Sequence, residues 1–289
     1  MNVPNLDVHR HRVATSSGAL SCVDIGEGPV ALFVHGVGTS SFLWRHVIAA
    51  VADERRCIAL DLPGHGHSPL HETGDLSLGG LADLVEQLCS ALDLTAVDLV
   101  ANDTGGAVAQ VFAVDHPGRV RTLTLTNCDT HDNLPPDAFR PTVELAERGE
   151  LAPLATQLAA DLDLARAGVF GISYEHPELV GDETLLEYVR TPFGTIEGAR
   201  EFERLLVSLK AADLMEIEPK LKQFDAPTLV VWGTGDVNFD VRWAYWLRDT
   251  IPGVREVVEV DGAKLFFPEE RPEELVPHLR RHWAASSGR

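Results

Sequence analysis

Leu99–Gln110 reads LVANDTGGAVAQ, and this stretch decides the fold. An apolar run ends at Ala101, and a helical pattern begins near Gly105. Between them stands Asp103, with Ala101 two residues before it and Gly105 two after. Small residues at those places let the backbone turn sharply from strand into helix. Such a turn lifts the middle side chain out at the carboxyl end of a sheet, where open α/β sheets bind ligands. Two forces then oppose each other on Asp103. The helix N-terminus behind it favours the carboxylate, and an apolar pocket in front of it would favour the neutral acid.

Working outward, short apolar runs alternate with helical patterns. Strands are expected at 30–34 (VALFV), 56–62 (RCIALDL), 96–101 (AVDLVA), 120–126, 227–232 (PTLVVW) and 255–260. Helices are expected at 42–51, 78–92, 105–116, 241–250 and 269–283. Strands that alternate with helices imply a mostly parallel sheet with helices on both faces. Residues 12–15 and 20–25 add an antiparallel hairpin at one edge, which makes eight strands. The alternation stops between Asp132 and Leu221, a helical stretch with loop signals at Pro135-Pro136, Gly171, Pro177 and Pro192. The chain therefore divides into a core of residues 1–131 and 222–289 and a helical insertion of 132–221.

Composition narrows the function. The 289 residues carry 24 basic and 44 acidic side chains, a net charge of −20. Such a surface repels phosphate backbones and anionic lipids, so neither nucleic acid nor a membrane is expected as a partner. Cys22, Cys57, Cys89 and Cys128 show no C-x-x-C spacing and read as buried thiols of a reducing compartment. Residues 1–12 are polar, with no leader pattern, and no apolar run has the length of a membrane span. A cytoplasmic protein acting on a small molecule is the expectation, and the sequence is compatible with a homodimer. His65, His67 and His71 cluster, and His9 and His11 form H-x-H, but further ligands are not in view, so no metal is expected. No glycine pair opens a dinucleotide-binding helix, so no cofactor is expected either.

Three motifs in order carry a family resemblance. They are His35-Gly36 followed by residues 39–45 (TSSFLWR), residues 61–68 (DLPGHGHS), and the Asp103 turn. With them, the chain resembles the α/β-hydrolase superfamily over nearly its full length, and most of all its haloalkane dehalogenase and epoxide hydrolase branch. The resemblance implies an α/β-hydrolase fold in which the helical insertion is a cap over the active site. It makes Asp103 a nucleophile that forms an alkyl ester, and Asp236, in Trp232-Gly233-Thr234-Gly235-Asp236, the acid that supports a histidine. Asp240 is a second acid in the same loop. Backbone N–H groups of Val37 and Thr104 would hold a developing anion, beside His35.

The chain departs from that pattern in its last loop. The branch has a histidine in a stretch resembling G-A-G-H-F-P-x-E-E, whereas residues 262–270 read GAKLFFPEE. Leu265 or Lys264 occupies the histidine position, depending on where the gap is placed. Thr104 stands where dehalogenases place a halide-holding tryptophan, and Val37 where many place an asparagine. Dehalogenation is therefore not expected. His131 and Asp132, with Asp129, in residues 126–133 (TNCDTHDN), are the best local candidates for a substitute base, set against a plainer role as a polar entry to the insertion that caps a helix. Lys264 is the other candidate, and its ammonium would need a depressed pKa to activate water. Leu265, Phe266 and Phe239 are expected in the pocket wall, with Lys264 nearby and Trp243 at the mouth. Epoxide hydrolases of the branch polarise the oxirane with two cap tyrosines, and the insertion offers only Tyr174 and Tyr188.

Three functions remain open at this point. One is epoxide- or ester-type hydrolysis of a small or medium apolar molecule, with Asp103 as nucleophile or acid/base. Another is a lyase, cyclase or isomerase in which Asp103 carries a proton. The third is a ligand-binding pseudoenzyme.

Overall fold

The computed structural model describes residues 4–69, 74–168 and 170–286. His71 lies outside the described residues. Eight strands form one sheet: β1 (Arg10–Thr15), β2 (Gly18–Ile25), β3 (Val30–Val34), β4 (Arg56–Leu60), β5 (Val97–Asp103), β6 (Val120–Cys128), β7 (Thr228–Gly233) and β8 (Val254–Val260). Their order is β1-β2-β4-β3-β5-β6-β7-β8. The β1–β2 hairpin and the β2–β4 pair are antiparallel, and every other pair is parallel. β5 lies in the middle and is buried at all seven positions, as a strand covered on both faces must be. The edge strands β1 and β8 expose several side chains.

The helices before the insertion are α1 (Arg45–Val51), α2 (Leu78–Ala91) and α3 (Thr104–Asp115). Between β6 and β7 the described residues contain α4 (Arg140–Glu147), α5 (Leu151–Ala160), α6 (Leu162–Ala167), α7 (Asp182–Phe193), α8 (Ile196–Ser208) and α9 (Ala211–Leu221), with two short 3-10 turns and no strand. The chain closes with α10 (Arg242–Thr250), α11 (Phe267–Glu270) and α12 (Pro272–Ser286). One helix was expected over 269–283. It is broken at Arg271, whose φ of −130° and ψ of 52° are not helical, ahead of Pro272. The strand expected to reach Leu62 stops at Leu60. There Asp61 leaves the ladder, and its carboxylate accepts from the N–H groups of Ser41 and His67 and from Arg10. All four cysteines are buried and unpaired.

The turn after β5 depends on close approach. Asp103 has φ 57° and ψ −136°, a conformation that non-glycine residues rarely hold. α3 can start directly against β3 only because Gly105 lacks a side chain: a Cβ there would lie 2.3 Å from the His35 carbonyl oxygen. No helix among the described residues is long and apolar enough to cross a membrane.

Candidate active site

Asp103 stands on the floor of a cavity of about 970 Å³, mouth included. The floor comes from Val37, Gly38, Asp103, Thr104 and Asp129 at the carboxyl ends of the central strands. The helical insertion supplies most of the walls, from Leu134 to Leu209, and Asn238, Phe239, Leu265 and Phe266 close the remaining side. The lining is overwhelmingly aliphatic and aromatic. Among the described residues its polar members are Asp103, Thr104, Asp129, Thr142, Ser173 and Asn238, with no Lys, Arg or His.

The Asp103 carboxyl lies against Gly36, where a Cβ would come within 2.2 Å of its Oδ2. The backbone N–H groups of Thr104 and Val37 both donate to it. These are the two donors expected to hold a substrate anion. Here they are directed at Asp103 itself. Their effect is outweighed: burial, then Asp129, then Asp236 raise the Asp103 pKa well above the usual carboxylate value. The contest set up by the sequence thus falls to the apolar pocket.

Asp129, a candidate alongside His131 and Asp132, is the second acid of the cavity. It follows β6, where β5 and β6 pair Asp103 with Cys128. Its Oδ2 accepts from the Thr104 hydroxyl at 2.9 Å, and burial, with Asp236 adding to it, pushes its pKa up to about 7. Among the described residues no group donates to its Oδ1. A signal was available, because a residue just past a central parallel strand faces the ligand edge of the sheet.

Asp236 sits behind this floor and does not line the cavity. Asn127 Nδ2 donates to its Oδ2 at 2.8 Å and the Asn238 N–H to its Oδ1 at 2.9 Å. Burial still lifts it to about 6. Lys264 pulls in the opposite direction from nearby but is not part of the cavity wall. Asp240 is exposed and caps α10 by accepting from the Arg242 N–H.

Every imidazole near Asp103 is committed elsewhere. His35 is fully buried, its Nε2 accepts from the Leu62 N–H at 2.9 Å, and its Nδ1 therefore donates to the Gly36 carbonyl at 2.7 Å. Burial lowers its pKa. His65 repeats the pattern, accepting from the Gly38 N–H and donating to the Pro63 carbonyl, and burial drives its pKa down to about 3. Both rings are neutral and have no free nitrogen. They brace the loops around the floor.

His131, the expected substitute base, is not brought to Asp103. Its Nε2 lies 3.0 Å from Glu218 Oε2 on α9, its Nδ1 lies 3.3 Å from Asp132, and its ring packs 4.9 Å from Trp246. Trp243 packs beside it rather than at the cavity mouth. His131 ties the start of the insertion to its last helix, the plainer of the two roles weighed for it.

Leu265, Phe266 and Phe239 do line the cavity. The loop carrying Leu265 is tied on both sides. Asn102 Nδ2 donates to the Leu265 carbonyl at 3.0 Å, and the Phe266 N–H donates to the Ser173 carbonyl at 3.0 Å. Tyr174 and Tyr188 are turned away from the cavity. Both hydroxyls donate to Glu269 Oε2, at 3.0 and 2.6 Å, and Arg45 pairs with Oε1 at 2.8 Å. Burial and Glu269 hold both phenols far above their usual pKa, so they are neutral donors to a carboxylate and clamp the insertion to the core. Among the described residues, no group of three or more His, Cys, Asp or Glu is arranged to hold a metal ion.

Comparison with known proteins agrees with this architecture. A cis-3-alkyl-4-alkyloxetan-2-one decarboxylase of Xanthomonas campestris is 27% identical over 278 residues, covering 91% of each chain. Haloalkane dehalogenase 2 of Mycobacterium bovis is 28% identical over 267 residues, covering 90% of each. The solved structure of the epoxide hydrolase CorEH superposes with a TM-score of 0.80 at 22% identity, covering 96% of this chain and 98% of that one, a likeness of fold. The family model described as the alpha/beta hydrolase fold matches residues 29–271. The chain is an enzyme of the α/β hydrolase fold family, related in sequence to haloalkane dehalogenases.

Proposed function

We propose that the protein catalyses a non-hydrolytic reaction of a small or medium apolar molecule, of the lyase or isomerase kind, in which Asp103 exchanges a proton with the substrate. One observation carries the proposal: Asp103 faces an apolar cavity beside a second buried carboxyl, and among the described residues no imidazole lines that cavity. A carboxyl kept neutral by burial and by like charges is a proton donor, and a poor nucleophile until it ionises. Hydrolysis through an alkyl ester needs a group that activates water, and His35, His65 and His131 are all held by other partners. The oxetanone relative gives further support. By its name that relative is a decarboxylase, and loss of carbon dioxide consumes no water.

A second reading keeps Asp103 as nucleophile. It is favoured by the N–H groups of Thr104 and Val37, which stabilise the carboxylate form. In that case the missing base leaves the alkyl ester to accumulate.

The two readings separate in isotopically labelled solvent. Dialkyl oxetanones, epoxides, alkyl halides and esters are incubated with the protein in deuterium oxide and in heavy-oxygen water, and products and the Asp103 peptide are weighed by mass spectrometry. Deuterium in the product without heavy oxygen, lost in Asp103→Asn, is the expected outcome. An alkyl adduct on the Asp103 peptide establishes the second reading. Heavy oxygen in a turnover product refutes the first.

A further inference from the structure

Asp129 is buried to 1% exposure and lines the cavity, and its Oδ1 has no donor among the described residues. Its other oxygen is taken by Thr104 at 2.9 Å, so the side chain is fixed with one acceptor spare. A buried acceptor without a donor has lost its water without replacement, more so if charged, and a ligand that supplies the donor recovers that cost. The rest of the cavity adds a constraint of sign. Among the described residues no Lys, Arg or His stands in its lining, and two carboxyls do. An anionic substrate would meet no cation among them. Phe139, Phe170, Phe193, Phe202, Phe239 and Phe266 supply aromatic surface, whose faces attract cations.

We infer that Asp129 is the recognition point for a protonated amine on an otherwise apolar substrate, with the spare Oδ1 accepting from the ammonium. This rests on the proposed function only in taking the cavity as the substrate site. The ammonium replaces the donor that the fold does not provide, and its apolar body fills the space walled by the insertion. Asp103 is left to the chemistry on an adjoining atom.

The test uses three ligands of one shape: phenylbutylamine, phenylbutanol and phenylbutyrate. Their equilibrium binding to the full chain and to Asp129→Asn is measured by calorimetry. The amine is expected to bind at least about tenfold tighter than the alcohol, and phenylbutyrate not to bind. In Asp129→Asn the amine loses at least about tenfold while the alcohol stays within about threefold, which also shows the variant folded. An amine that binds the unaltered protein no tighter than the alcohol, or not at all, overturns the inference, and that comparison needs no variant. So does an Asp129→Asn protein that keeps full amine affinity. Binding is read without turnover, so amine preference and deuterium transfer by Asp103 can fail independently.

Discussion

Replacing Asp129 with asparagine should make the protein more stable at alkaline pH relative to the unaltered chain, and less so as the pH falls. The folded-state pKa of Asp129 is raised to about 7 from 3.8 by burial, with Asp236 adding to it. A raised folded pKa contributes stability that is complete below the unfolded value and is lost as pH rises through the folded one. The gap of roughly three units sets a ceiling of about 4 kcal/mol on that loss. At pH 5 less than half of it has been lost, and most of the remainder disappears by pH 8. Asparagine has nearly the same shape, still offers an oxygen to the Thr104 hydroxyl, and does not titrate. Urea unfolding of both proteins at pH 5 and pH 8 reads the difference directly. The gap between them should shift in favour of Asp129→Asn by up to that amount. A gap that does not change with pH would mean that Asp129 is already ionised and partnered at pH 5, and the account of an acid kept neutral by its surroundings would be refuted.

Other outcomes follow from the same geometry. Leu265→His puts an imidazole into the cavity wall, at one of the two positions where the resemblance would place a histidine. With an epoxide or alkyl halide it should release heavy oxygen-labelled product where the unaltered chain holds an adduct or does nothing, at a stability cost of about 1–3 kcal/mol for burying a polar ring. Glu269→Gln removes a charge from a pair whose side chains are only 11% and 6% exposed, so it should cost about 3 kcal/mol in urea unfolding and speed proteolysis within α7. His131→Ala should leave turnover and adduct formation on the panel within about twofold, because that ring serves Glu218 and Trp246; a tenfold loss would restore it as a base.

Most of the fold could be read from residues because it rests on local chemistry. Val30–Val34 and Pro227–Trp232 are apolar because both faces of those strands are covered, and the turn at Asp103 is marked by its small neighbours. Thr104 and Val37 were legible as donors, since a backbone N–H is present whatever the side chain. What escaped was direction across the chain. Tyr174 and Tyr188 are chemically able to face the cavity, and only the position of Glu269, some 80 to 95 residues away, turns them elsewhere. His131 looked best placed by sequence, but Glu218 on α9 claims it. Asp129, two residues earlier, points inward because β6 runs on to Cys128 before the chain leaves the sheet. Alternation along a strand is written in the sequence; the residue at which the strand ends is decided by neighbours that sequence does not bring together.

The helical insertion is fastened unevenly. At α7 the Arg45–Glu269–tyrosine cluster holds it to the core, and at α9 the Glu218–His131 pair does the same. α4 has a single buried residue, Ala146, while Phe139 just before it and Thr142 and Val143 within it border the cavity. Local opening starts where few groups are buried. A short helix so little buried beside the cavity is where an apolar molecule is expected to pass, and passage there would make its uptake rate separable from the step at Asp103.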